Sequence, residues 1–239
     1  FSLSAALFLF LAMLLALYML SISNNDQTID TDNAGGGSFD AIKNSLQINE
    51  VRSIASYVWI WTALMTVQWI TAINIVEDWS QNSEQRLRFF AIMEQVISPL
   101  TLIVQLFFTN LIIKKIGIKN ILLSYGILFC SAFILYGLIP SIISVGVVTV
   151  FLRVFEYGIN KPTRETIFST FKKNDRYKST VFIDTFISRF GDLSGSGFIA
   201  IGKLTSIAAN SLPLIAIPIA GFLSMLGIRI SRNINTKDL

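Results

Sequence analysis

The sequence predicts an all-α, polytopic membrane helix bundle, and three observations carry that expectation. First, 53% of the 239 residues are apolar, 14% are charged and the mean hydropathy is +0.62, where an ordinary soluble domain has roughly a quarter charged residues. Second, the apolar residues gather into seven stretches, 1–21, 52–76, 91–113, 120–139, 141–160, 181–202 and 211–230, each near the about 20 residues that a helix needs to cross a hydrocarbon core. Third, the charges fall in the gaps between those stretches or recur inside them at helical spacing.

Composition removes whole classes of chemistry. There is no His, and Cys130 is the single Cys, so a His or Cys zinc site, a Ser-His-Asp or Cys-His set and an internal disulfide are all out of reach. The acids occur singly, not in paired ligand motifs, so neither an enzyme nor a metal or cofactor is expected. The net charge of +4 does not point to nucleic acid, because the basic residues lie in short gaps and form no patch beside a soluble core.

Taken in order, the stretch 1–21 lacks an initiator Met, a basic n-region and a small-residue cleavage site. It reads as a membrane helix of a truncated chain, not as a signal peptide. Residues 22–51 are polar, with a Gly35-Gly36-Gly37 hinge followed by Phe39, Ile42, Leu46 and Ile48 at amphipathic spacing, which predicts a flexible linker leading into a surface helix. Residues 52–239 then form the main bundle.

Charge at membrane depth costs at least about 2.5 kcal/mol, so it faces a partner or a cavity. Stretches 1–21, 120–139 and 211–230 carry no ionisable group before their last turn, whereas the other four hold Glu77, Glu94, Arg153, Glu156, Asp184, Arg189 and Asp192. A charge-free stretch at every third position is what repeated three-helix units would give, with two inward helices and one lipid-facing helix each.

Periodicity sharpens the faces. On 52–76, Thr62, Thr66, Asn74 and Glu77 cluster while Gln68 points away. The four Trp of this region are Trp59, Trp61, Trp69 and Trp79, and the outer two fit interfacial anchors. On 91–113, Glu94, Ser98, Thr101, Gln105 and Thr109 share an arc of about 80°. On 141–160, Arg153, Glu156, Tyr157 and Asn160 share a face, with Arg153 and Glu156 spaced either to pair with one another or to meet a solute. On 181–202, Asp184, Ser188, Gly191, Asp192 and Gly195 share a wet side with Arg189 at its edge, and Gly191-x-x-x-Gly195 reads as a close packing face. Glu77 and Glu94 lie near the ends of their stretches, where they reach either interfacial water or the inward face. Gly195-Ser196-Gly197-Phe198-Ile199-Ala200 matches a dinucleotide fingerprint in letters alone, since no strand precedes it.

Orientation follows from the basic residues. One set of connections holds Lys43, Arg52, Lys114, Lys115, Lys119, Lys161, Arg164, Lys172, Lys173, Arg176, Lys178, Arg229, Arg232 and Lys237, and the other holds Arg86, Arg88 and Lys203. The C-terminus is expected on the cytoplasmic side.

From residue 52 onward the pattern resembles the C-terminal half of a major facilitator superfamily transporter. Lys115-Ile116-Gly117-Ile118-Lys119 looks like a degenerate copy of that superfamily's short loop motif. Over residues 50–200 the chain resembles more closely the ATP/ADP antiporter (nucleotide transporter) family and its bacterial relatives. The likeness rests on Ile73-Asn74-Ile75-Val76-Glu77, on Tyr157 to Pro162 with Arg164 and Glu165, and on Tyr177, Lys178, Ile183 and Asp184 leading to Gly191 and Gly195. The resemblance implies that 1–21 is the last helix of a missing N-terminal bundle, that 22–51 is the cytoplasmic linker between bundles, and that 52–239 is a six-helix bundle of two three-helix repeats. It also implies a bacterial inner membrane, an exchange carboxylate at Glu77 and a basic residue after the proline at Arg164. The chain departs from the family at Asp192, where exchangers carry a Lys, and Arg189 is the nearby cation.

The function expected is therefore secondary transport of a small anionic solute, a nucleotide or another anion, by alternating access. The candidate substrate-binding or coupling residues are Glu77, Glu94, Gln105, Arg153, Glu156, Arg164, Asp184, Arg189 and Asp192. The partners expected are the lipid bilayer, the solute and the missing half of the chain. A seven-helix receptor or a non-transporting scaffold of the same fold is the alternative. The last stretch holds no Lys for a retinal Schiff base, which removes the photoreceptor version.

Overall fold

The computed structural model describes residues 49–169, 173–207 and 211–235. The first apolar stretch, the Gly35-Gly36-Gly37 hinge and the amphipathic pattern at 39–48 lie outside the described residues. What is described is helical throughout, with no strand among the described residues.

Helix α1 is Asn49–Trp79. α2, Ser83–Ile103, begins eight residues before the expected stretch, because Asn82 caps it, with its side-chain oxygen accepting from the Glu84 N–H at 2.9 Å. Its first two turns, Ser-Glu-Gln-Arg-Leu-Arg, are good helix formers too polar to register as part of a membrane span. A five-residue π-turn, Val104–Phe108, leads into α3, Thr109–Leu138. Ile139 and Pro140 end α3, and a capping box between Ser141 and Ser144 starts α4, Ile142–Phe155. A second π-turn, Glu156–Asn160, joins α4 to α5, Lys161–Ser169. α6 is Lys173–Phe182, and a third π-turn, Ile183–Ile187, continues it into α7, Ser188–Leu204. α8 is Leu212–Asn235.

Four of these helical runs are long and apolar enough to cross a membrane: Val51–Trp79, Ser83–Leu138, Ile142–Ser169 and Leu212–Ser231. The run from Lys173 to Leu204, with Asp184, Arg189 and Asp192 in its middle, is not among them. The outer faces carry exposed Leu102, Leu106, Phe107, Ile143, Phe151 and Met225, the surface a membrane-embedded protein presents to lipid. Seven crossings are not established by these helices.

The 56-residue run from Ser83 to Leu138 is two legs. The Thr109 hydroxyl bonds the Gly158 carbonyl, and the Tyr125 ring stacks at 5.3 Å on Phe155, yet a straight helix would hold residues 109 and 125 roughly 24 Å apart. The chain turns back between them at Gly117, whose φ of 79° and ψ of 153° fall in a region open only to glycine. A Cβ at this position would meet no atom within 4 Å, so Gly117→Ala tests backbone strain alone. We expect it to lower stability by about 1–3 kcal/mol, measured by unfolding in mixed micelles; an unchanged midpoint would show that the turn does not depend on glycine.

The core is aromatic. Tyr57, Tyr125, Phe129, Phe133 and Tyr136 are fully buried, four of them on the second leg of α3. Apart from Lys119 at the start of that leg and Arg229 and Arg232 at the end of α8, the two carry no charge, and they pack on each other at near-backbone contact. A Cβ on Gly126 would overlap the Ser224 hydroxyl and lie 2.6 Å from the Ala220 carbonyl, and one on Gly227 would lie 2.8 Å from that of Leu122. Each is thus apolar for two reasons, a tight helix contact on one side and exposed residues such as Ile127, Ile134, Phe222 and Met225 on the other. Gln68, the residue that breaks the pattern on α1, is buried and donates to the Tyr136 hydroxyl at 2.9 Å and the Thr149 hydroxyl at 3.2 Å.

Candidate functional site

Pro162 organises the first polar region. It has no N–H to offer, and the π-turn before it shifts the backbone ladder by one residue, so the carbonyls of Tyr157 and Gly158 lose helical donors. Gln105 donates to the Tyr157 carbonyl at 2.9 Å and Thr109 to that of Gly158 at 2.5 Å. Gln105 and Thr109, the C-terminal end of the polar stripe of 91–113, thereby act as a helix seam, restoring bonds that hydrocarbon cannot supply. Gln105, expected to meet solute or a coupling ion, serves that seam.

The same π-turn places a carboxylate in the core. Glu156 is 2% exposed and pairs with Arg164 at 3.2 Å, while its second oxygen accepts from Asn160 at 2.7 Å. Arg164 lies 4.8 Å over the ring of Trp61, whose indole N–H donates to Tyr125 at 2.8 Å. Tyr57 stands 3.3 Å from the Leu122 carbonyl and 3.4 Å from the Asn160 side-chain oxygen, with one proton to give. Here two expectations are corrected. Arg164, counted with the loop residues, is 6% exposed inside a helix that continues through Pro162. Glu156 pairs with Arg164 and not with Arg153, because the extra residue of the π-turn shifts the helix beyond it and brings Arg164 round to the face of Glu156.

Arg153 points elsewhere. Its guanidinium lies 3.9 Å from Glu94 on α2 and 5.4 Å over the ring of Trp69 on α1. One turn before Trp69, the Thr66 hydroxyl donates to Asp192 on α7 at 3.0 Å, and Asp192 also accepts from Arg189 at 3.2 Å. Thr66 lies near the middle of Val51–Trp79, so α1 carries at mid-span a face flanked by an ion pair on either side. Glycine brings α7 close enough for this. A Cβ on Gly191 would overlap the Thr62 hydroxyl, and one on Gly195 would overlap the Ala63 carbonyl, so the Gly191-x-x-x-Gly195 packing face is real and its partner is α1. None of the four charged side chains is fully buried: Arg153 is 25% exposed, Asp192 45%, Glu94 53% and Arg189 82%.

The structure thus gathers Glu94, Arg153, Arg189 and Asp192 around Thr66 and Trp69. Glu77 lies eleven residues beyond Thr66, at the end of α1, 3.9 Å from Arg86. Asp184 is exposed on the third π-turn, eight residues or roughly 12 Å before Asp192. Glu94 is not near a helix end, since α2 starts at Ser83. Trp69 is legible in the sequence only as one of four tryptophans, and its place under a cation needs the fold. Trp59, expected as an interfacial anchor, donates to the Ser194 hydroxyl at 3.0 Å and meets Phe190 at 5.4 Å. Among the described residues no group of three or more His, Cys, Asp or Glu could hold a metal ion. No family model, curated protein or solved structure matches this chain.

Proposed function

We propose that the chain is the C-terminal part of a secondary transporter that moves a small anionic solute by alternating access. The observation that carries this reading is the mid-span face of Thr66, Trp69, Glu94, Arg153, Arg189 and Asp192, whose charges are partly exposed within an apolar bundle. Such charges are not stable against hydrocarbon. They call for a water-filled cavity, which a second bundle on that side would close. Arg153, held over Trp69 and only loosely paired at 3.9 Å, is the cation that an anion displaces from its carboxylate. Glu94 and Asp192 then balance the charge when the solute leaves. In this reading the chain crosses a bacterial inner membrane seven times, with residues 1–21 closing an N-terminal bundle, the linker and C-terminus cytoplasmic, and a likeness to ATP/ADP antiporters.

The test is uptake of labelled ATP, ADP and a panel of smaller anions by cells expressing the complete gene. Arg153→Ala and Asp192→Asn are expected to cut uptake of the transported anion at least about tenfold. Glu77→Gln probes the exchange role that the resemblance assigns. If Arg153→Ala and Asp192→Asn reach the membrane in normal amount and transport at the wild-type rate, the assigned face is wrong. No uptake of any anion by the wild-type protein would favour a non-transporting scaffold.

A further inference from the structure

At the other end of α1 from Glu77, Arg52 and Arg229 line one cavity of about 380 Å³ together with Asn49, Ser53, Ser56 and Leu226. They are 177 positions apart in sequence and come from the first turns of α1 and the last turns of α8. Neither is paired with a carboxylate among the described residues. Arg52 donates to the Asn49 side-chain oxygen at 2.8 Å, which neutralises none of its charge. The described lining is thus two cations, an amide, two hydroxyls and one apolar residue, with no acid.

We propose that this cavity binds a phosphoryl anion, with Arg52 and Arg229 as its ligands. Two guanidinium groups converging from separate helices match phosphate oxygens, which accept paired N–H donors. Ser53 and Ser56 now donate to the carbonyls of Asn49 and Arg52 at 3.0 and 2.9 Å, and rotation of either hydroxyl adds a donor to the anion. The volume is several times the roughly 30 Å³ that one water occupies, enough for a headgroup phosphate and its waters. The position also fits, since α8 borders lipid and both arginines belong to the basic side of the chain, where anionic headgroups concentrate. The mid-span face is a separate place, so the outcome does not depend on whether the protein transports.

The experiment measures the melting midpoint of the purified full chain in neutral detergent at constant ionic strength. Inorganic phosphate is one arm and short-chain phosphatidylglycerol the other, with chloride and the matching phosphatidylcholine as blanks. A rise with phosphate or with phosphatidylglycerol is expected, and the arm that responds names the source. In R52Q/R229Q the ligand concentration needed should rise by about tenfold or more, while K114Q/K115Q, which removes as much charge from exposed positions, should respond as wild type. Should R52Q/R229Q fail to fold, R52K/R229K decides, because it keeps the charge and loses the paired donors; an intermediate response is expected. Equal response of wild type and the arginine variants, or no response to either ligand, overturns the proposal.

Discussion

Arg164→Ala is expected to destabilise the bundle by about 3–5 kcal/mol, the cost of leaving a buried charge without its counter-ion. Glu156 is 2% exposed, and with Arg164 gone it would keep only uncharged partners, the Asn160 amide and the Tyr125 hydroxyl. Water cannot easily reach it, since Tyr57, Trp61 and Tyr125 cover the pair. Removing both charges should cost far less, because a neutral pair loses its attraction and its desolvation penalty together. Glu156→Gln with Arg164→Met keeps an acceptor for Asn160 and fills the volume beside Trp61. We expect that double variant to recover most of the loss, measured by unfolding in mixed detergent micelles. A single Arg164→Ala costing under about 1 kcal/mol would show that the pair is solvated and not a lock.

Gly195→Ala is the second large effect. A Cβ there would overlap the Ala63 backbone carbonyl, which no rotamer change can move, so α7 must separate from α1. Overpacking of this kind costs about 1–3 kcal/mol, and it also pulls Asp192 from the Thr66 hydroxyl. Uptake should therefore fall with stability. Gly197 on the same helix is the control: nothing stands within 4 Å of a Cβ at that position, so Gly197→Ala should be neutral or stabilise by up to about 1 kcal/mol through helix propensity. Equal effects at the two glycines would mean that α7 does not pack on α1 through Gly195.

Local pattern explains why so much of the fold is legible in the sequence. Hydropathy over twenty residues and turns at Gly117, Pro140 and the polar gaps are properties of neighbouring residues, so the second leg of α3, α4 and α8 fall within a few residues of their expected places. The start of α2 escapes such reading because its first turns are polar, and hydropathy does not see a capped polar turn. Glycines four apart on one side of α7 announce a packing face, though not that α1 fills it.

The candidate site is half legible for the same reason. That charges sit on inward sides of certain helices follows from periodicity, but which charge meets which does not. A π-turn inserts one residue and shifts the phase of the downstream helix by about 100°, and turns at 104–108, 156–160 and 183–187 each do so. Arg164 is brought round to Glu156 across that shift, and Gln105 and Thr109 are drawn to carbonyls that Pro162 leaves open. The amino-acid sequence by itself determined an all-helical apolar chain, the faces that bear charge and the absence of His and disulfide chemistry, because composition and short-range period set these. Only the tertiary structure decided that Arg153 pairs with Glu94, Arg164 with Glu156 and Asp192 with Thr66, because ion pairs and hydrogen bonds depend on distances of a few ångströms between residues up to 126 positions apart, and helix register and packing alone set those.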